Sequence, residues 1–452
     1  MKLSQLAEKL HGKLIGIDAN CRAISINTKT IDSGDVFFAI VGAVRDGHDF
    51  IADAEKAGAS GVVVSREVKT TLPIIIVSDT RKALFDLTEY DRERTAIPFV
   101  AITGSCGKTT TRALLENILK QVGPVLASEK SFNNDLGVPL TVSRLKPEDQ
   151  FAVLEIGANH IGEISVLSKL VKPTIAVITM IAPVHLEGFG SVENIAQAKS
   201  EIFEGLEKNG IAIINQDDHY ANDFKNLNKN NVMITFGINH QSDVMAKNII
   251  CNEKSEIKFL LSTSSDHCEI NFPLIGEHNI TNALAAAACA VALNIPIQKI
   301  KIGLETVMPV EKRLNETIGF AGATIIDDSY NANPTSVRAA IRILTKRPGE
   351  SILVLGDMLE LGQDADDIHA ELGRFALDHH VNALFCYGKH SAFTAKAFGK
   401  NAHYFADKKI LIESLKSLLS NKTTIVIKGS NSMKMWEITQ ALTTYQEING
   451  TQ

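Results

Sequence analysis

The chain has no excess of positive charge. Its 452 residues carry 46 Lys and Arg against 52 Asp and Glu, a formal net charge of −6. That excludes a broad basic face for a nucleic-acid backbone or an anionic membrane, so any phosphate must be bound locally. Cysteine is sparse as well. The six residues (Cys21, Cys106, Cys251, Cys268, Cys289 and Cys386) are scattered, with no C-x-x-C pair; they read as reduced thiols in a cytosol rather than a disulfide framework. Long apolar runs are missing too. The opening MKLSQLAEKLHGK mixes charge with Leu at helical spacing and lacks the apolar centre of a secretory signal. The apolar stretches 173–184 and 283–293 are too short to cross a bilayer. No sequence repeat or low-complexity tract stands out. A cytoplasmic protein is expected, with no nucleic-acid partner and no membrane insertion.

What is present is enough apolar residue, 45% of the chain, to fill the cores of two or three domains. Between Ser25 and Arg94, short strands (36–40, 61–64, 74–77) separated by helical stretches and by the turn signals 32–35 and Asp46-Gly47 predict a small N-terminal α/β domain. The polar run Asp91-Arg92-Glu93-Arg94 then gives way to the apolar strand 97–102, which places a boundary near residue 95. Beyond it, the apolar segments 151–154, 174–180 and 211–214 alternate with helical patterns, the signature of a buried parallel sheet. Residues 233–275 are expected to add an antiparallel extension, followed by an alanine-rich helix from about Thr281 to Leu293. Past Arg313 the alternation restarts, with strands at 324–326, 351–355, 383–387 and 424–427. The expected divisions are 1–95, 96–312 and 313–452, the last of them Rossmann-like.

The strand ending at Ile102 runs into Thr103-Gly104-Ser105-Cys106-Gly107-Lys108-Thr109-Thr110-Thr111. A helix follows, with Leu114, Leu115, Ile118, Leu119 and Val122 on one face, until Gly123-Pro124. Strand, glycine loop and helix N-terminus together make a phosphate cradle. Backbone N–H groups curl round the anion, the helix dipole adds positive charge, Lys108 reaches the outer phosphates, and the Thr109 hydroxyl can ligate Mg²⁺. The longer signature G-x-x-x-x-G-K-[ST] would need glycine at position 102, where this chain has Ile, so the loop is a shorter variant. Positive potential in it is expected to favour the thiolate of Cys106.

Glu155 and His185 stand at the carboxyl ends of the next two predicted strands, where ligands gather in α/β sheets and where a carboxylate suits Mg²⁺. By itself a histidine at such a rim is more often a structural hydrogen-bonding group. Taken alone, Lys199 is a lysine on the solvated face of an amphipathic helix, and Asn133-Asn134 is a plausible turn.

The segments GSCGKTTT, FNNDLGVPLT, LEIGANHIGEI, IAPVHLEGFGS, AQAKSEIF, GEHNITNALAAAA, IDDSYNANP and LGDMLELG, in that order and over most of the chain, resemble the Mur ligases. The resemblance implies an N-terminal domain for a UDP-sugar substrate, a central ATPase domain, and a C-terminal domain that closes over the nucleotide. It implies that Gly104, Ser105, Cys106, Gly107, Lys108, Thr109 and Thr110 hold ATP. It also puts His278, Asn279 and Asn282 near the adenosine, and gives Arg313, Asp328 and Tyr330 as contacts from the C-terminal domain. Lys108, Lys199 and His185 are the implied catalytic groups. Thr109, Glu155, His185 and Lys199, the last as a carbamate, are the implied holders of Mg²⁺. Asn134, Asn331 and Asn333 are candidate substrate contacts. Asn331-Ala332-Asn333-Pro334 replaces the D-N-P-R of tripeptide-forming relatives, which points to D-alanyl-D-alanine and UDP-N-acetylmuramoyl-tripeptide as the pair joined. A monomer is expected, although no motif fixes the oligomeric state. A GTPase switch is disfavoured because D-x-x-G and N-K-x-D are both missing.

Overall fold

The computed structural model describes residues 1–129, 132–252 and 257–443. It has three α/β domains, each built on its own sheet. The N-terminal sheet runs, in spatial order, Lys13–Ile15, Ile74–Ile76, Gly61–Val64, Val36–Phe38 and Ile24–Ser25; only Lys13–Ile15 is antiparallel to its neighbour. Its core takes in Leu140 from the short central helix Gly137–Val142, so the first two domains share apolar packing. Helix Thr80–Glu93, capped by the Asp79 side chain on the amides of Arg81 and Lys82, also bridges them. Arg92 on its last turn is buried, and its guanidinium donates to the carbonyls of Val171 (2.7 Å) and Lys172 (2.8 Å).

The central sheet has nine strands, ordered His267–Phe272, Ile257–Ser262, Val244–Cys251, Val232–Gly237, Ile211–Asn215, Ile175–Ile178, Phe99–Thr103, Phe151–Glu155 and Val125–Ala127. One expectation is corrected here. Residues 233–275 are not antiparallel throughout, because Val232–Gly237 pairs parallel to Ile211–Asn215 and Val244–Cys251 pairs parallel to it in turn. The intervening helix Ala221–Leu227 makes the first step a crossover, which returns the chain in the same direction. Only the last two pairings, of Ile257–Ser262 with Val244–Cys251 and with His267–Phe272, are antiparallel, and residues 253–256 of that stretch lie outside the described residues.

Phe99–Thr103 is buried at every residue and flanked by Phe151–Glu155 on one side and Ile175–Ile178 on the other. The chain therefore winds outward in both directions from this strand, which is the switch point where open α/β sheets bind ligands. Over this sheet, the helix Lys108–Leu119 packs against helix Glu277–Ala292. The second helix begins a turn earlier than its apolar pattern predicts, since Glu277, His278 and Asn279 make its first turn. Ala283, Ala285–Ala288 and Ala290 are all fully buried in it, and side chains this small let neighbouring elements approach closely.

The C-terminal sheet is ordered Asn315–Ile318, Thr324–Asp328, Thr423–Lys428, Glu350–Gly356, Ala383–Tyr387 and Ala402–Phe405, parallel except for its first strand. Among the described residues no helix is long and apolar enough to cross a membrane.

Candidate active site

Carboxyl ends of strands from both larger sheets open onto one cavity of about 490 Å³. From the central sheet it receives Gly104 to Thr110, Glu155 and Met180; from the C-terminal sheet, Asp328 and Lys428. Every candidate residue named from sequence lines it except Asn134. The Asn134 side chain instead accepts from the amides of Gly137 (2.8 Å) and Leu136 (3.3 Å), at the start of helix Gly137–Val142. Its neighbour Asn133 is the residue that faces the cavity.

The loop keeps its shape because two positions exclude side chains. Gly104 has φ +144°, and a Cβ there would lie 2.0 Å from Thr179 Oγ1; Gly107 has φ +86°, and a Cβ would lie 2.1 Å from Asn282 Oδ1. Both are conformations that L-residues with side chains resist. Gly107 caps the helix, leaving the first-turn amides of Lys108–Leu119 free for an anion. Lys108 folds back so that its Nζ donates to Gly104 O at 2.7 Å. Although the residue keeps some accessible surface, its ammonium lies deep in the protein. Loss of hydration there pulls its pKa below the usual lysine value, opposed by the negative charge of Glu155. An anion in the cavity would restore what burial removes.

Glu155, 3% exposed, accepts from Thr109 Oγ1 at 3.0 Å and from Asn133 Nδ2 at 2.9 Å. The Thr109 hydroxyl also accepts from Arg313 Nη2 at 3.2 Å. Arg313 stacks its guanidinium 4.3 Å from the ring centroid of Tyr330, while its buried Nε has no partner. Among the described residues no three His, Cys, Asp or Glu side chains cluster as a metal cage. A threonine hydroxyl beside one buried carboxylate is a poor closed site for Zn²⁺ but suits Mg²⁺, which takes one or two carboxylates plus phosphate oxygens and keeps several waters.

Lys199 overturns the solvated-face expectation, for it is 1% exposed. Its Nζ lies 3.4 Å from Ala158 O and 5.1 Å from the ring centroid of Phe189. Burial, aided by the like charge of Lys108 and opposed by Glu163 and Glu201, brings its pKa down to about 7. His185 adopts φ +50° at the cavity edge, and its Nδ1 is hydrogen-bonded to a carboxylate oxygen of Glu360. On the other wall Asn279 Oδ1 accepts from Asn282 Nδ2 (2.9 Å), and Asn279 Nδ2 donates to Ile275 O (2.7 Å). These bonds fix the helix end beside His278.

From the C-terminal domain, Asn333 caps helix Pro334–Thr345 by accepting from Ser336 N, and its Nδ2 donates to Cys106 Sγ at 3.2 Å. Lys428, buried at 2% exposure, donates to Asp328 Oδ2 (2.6 Å) and Asn331 O (2.8 Å), tying down the turn that carries Tyr330 and Asn331. Lys428 and Asn133 were not among the candidates drawn from sequence. Asn133 was marked only by its place inside the segment FNNDLGVPLT, and Lys428 only by following the predicted strand 424–427.

A glycine loop at a sheet switch point, faced by a second α/β sheet across a shared cavity, defines a multi-domain P-loop nucleotide-binding enzyme. Family models place it further. The Mur ligase middle domain matches residues 102–290, the Mur ligase glutamate ligase domain 313–431, and the Mur ligase family catalytic domain 20–98. The chain is 40% identical to the UDP-N-acetylmuramoyl-tripeptide–D-alanyl-D-alanine ligase of Escherichia coli (strain K12), covering 99% of both chains. It is 33% identical to the ligase of the same name from Bacillus subtilis (strain 168), over 93% of this chain and 92% of that one. Its fold superposes on crystalline MurF from Acinetobacter baumannii with a TM-score of 0.90 at 33% identity, covering 96% of this chain and 97% of the other. The chain belongs to the Mur ligase family.

Proposed function

We propose that the chain joins D-alanyl-D-alanine to UDP-N-acetylmuramoyl-tripeptide at the expense of ATP, releasing ADP and phosphate in the synthesis of the peptidoglycan precursor. The observation that carries this reading is the single cavity shared by the glycine loop and the Asn331-Ala332-Asn333-Pro334 turn, which lets a phosphorylated carboxyl group and an incoming amine meet. The substrate carboxylate attacks the γ-phosphate of ATP to give an acyl phosphate. The amine of the dipeptide then adds to that carbonyl, and the tetrahedral intermediate expels phosphate.

Two anions must approach in the first step, so the residues that matter are those that neutralise charge. Lys108 and the loop amides hold the β- and γ-phosphates; Arg313 adds its unpartnered Nε and orders Tyr330 against the nucleotide. Mg²⁺, held by Thr109 and Glu155 with His185 and a carbamate on Lys199, would supply further charge neutralisation. An amine whose pKa is about 7 is half uncharged at neutrality and has the lone pair that addition to CO₂ requires. His278, Asn279 and Asn282 border the adenosine. Asn331, Asn333 and, in place of Asn134, Asn133 face the substrates. Enclosure between domains keeps water from the acyl phosphate.

We assign residues 1–95 to the UDP-substrate domain, 96–312 to the ATPase domain and 313–452 to the closing domain, in a monomeric cytoplasmic enzyme. Phosphate release from ATP, measured with the UDP-tripeptide and D-alanyl-D-alanine together and singly, should require both. Release without either substrate, or none with both, would overturn the reading.

A further inference from the structure

The contact between His185 and Glu360 joins the central domain to the C-terminal one, and both partners sit on strained backbone. His185 has φ +50° and Glu360 φ +62°, left-handed conformations that strain non-glycine residues and persist only where the surroundings hold them. The Glu360 carboxylate bonds to His185 Nδ1, and the Glu360 carbonyl accepts from Glu187 N at 3.3 Å. The Glu360 side chain is itself 56% exposed, so a surface ion pair would add little to stability. The loop behind it is nevertheless held at three successive residues. The Asp357 carbonyl accepts from Ser430 N (2.9 Å), Met358 N donates to the buried His369 Nε2 (3.1 Å), and Leu359 N donates to Ser430 Oγ (2.9 Å). Asp357 Oδ1 also accepts from Ser391 N (2.7 Å). Such support is what holds a functional group in one orientation.

We propose that Glu360 is a positioning residue. It fixes the proton of His185 on Nδ1 and turns the bare Nε2 toward the cavity, so that the metal-facing side of the site is complete only when the C-terminal domain is docked. A carboxylate that receives the second ring N–H of a metal-binding histidine sets both its tautomer and its basicity. Here that carboxylate comes from another domain. The inference rests on the assignment of His185 to the Mg²⁺ site.

The test uses the full chain with a non-hydrolysable ATP analogue and Mn²⁺ as the probe, followed by water-proton relaxation. The ring tautomer of His185 is read separately from ¹⁵N shifts of histidine-labelled protein. Glu360→Ala should weaken Mn²⁺ binding about 10- to 100-fold and mix the tautomers, and Glu360→Gln, whose amide oxygen still accepts, should recover most of both. Unchanged Mn²⁺ affinity and tautomer in Glu360→Ala overturn the proposal. So does a Glu360→Gln as impaired as Glu360→Ala. If the unaltered chain binds no Mn²⁺ with the nucleotide, or His185→Ala binds it as well as the unaltered chain, the metal assignment itself falls.

Discussion

Two lysines in the cavity do opposite things with the same side chain. Lys108 is also desolvated, but it faces the negative charge of Glu155 and the place where phosphates arrive, and replacing it with alanine should lower turnover on the order of 10²-fold or more, with a folded chain by circular dichroism; near-normal turnover would sink its role. Lys199 is instead buried against its own charge. Its folded pKa, about 7, lies below the unfolded value near 10.5, so between those values the unfolded chain binds more protons and stability rises with pH. Below about pH 7 the charge is buried at full penalty, and above about 10.5 the penalty is gone. In CO₂-free buffer Lys199→Met should therefore raise stability at pH 7, by an amount on the order of a few kcal/mol, and the gain should shrink as the pH approaches 10. A gain that does not vary with pH would show that the amine is not titrating as buried. The same variant should abolish ligation. A buried amine kept at a cost to the fold fits a group selected for reaction.

The elements divide cleanly into those the sequence pattern reveals and those it hides. Strands at the centres of the sheets, such as Phe99–Thr103 and Ile175–Ile178, are buried on both faces and read as continuous apolar runs. The strands passed over, Lys13–Ile15, Ile24–Ser25, Val125–Ala127, Asn315–Ile318 and Ala402–Phe405, all lie at sheet edges. They are two to four residues long and partly exposed, so neither length nor periodicity announces them. The glycine loop was legible because its chemistry is local, whereas the burial of Lys199 and the rotation of Asn133 into the cavity depend on partners far away in the chain. Gly107 offers a test of the loop as an element. Alanine there must adopt φ +86° and meet Asn282, a strain of about 1–3 kcal/mol that corresponds to roughly a 5- to 150-fold loss of ATP-analogue affinity by calorimetry. Unchanged affinity would mean that the loop does not cradle the phosphates in this shape.

On the scale of the molecule, the two interdomain seams differ in kind. The first is a shared core, with Leu140 packed among the N-terminal apolar residues and the buried Arg92 bonded to the carbonyls of Val171 and Lys172. The second is mainly a set of single polar contacts around the cavity: Arg313 to Thr109, Asn333 to Cys106, Glu360 to His185 and Lys346 to Glu277, with Ile275 packed against the C-terminal core. Interfaces of the second kind permit domain motion. Small-angle scattering should show a smaller radius of gyration once an ATP analogue and the UDP-tripeptide are both bound, and superimposable curves would argue for a rigid molecule. The buried alanines of helix Glu277–Ala292 give this architecture one further property. They act as a spacer one methyl group thick between that helix and its neighbours, and Asn282, which presses on the turn of the phosphate loop, rides on the same rod. An added methylene on its packed face would push the rod outward and loosen the grip on ATP, so nucleotide affinity can be tuned by natural variation or by design at positions that no ligand ever meets.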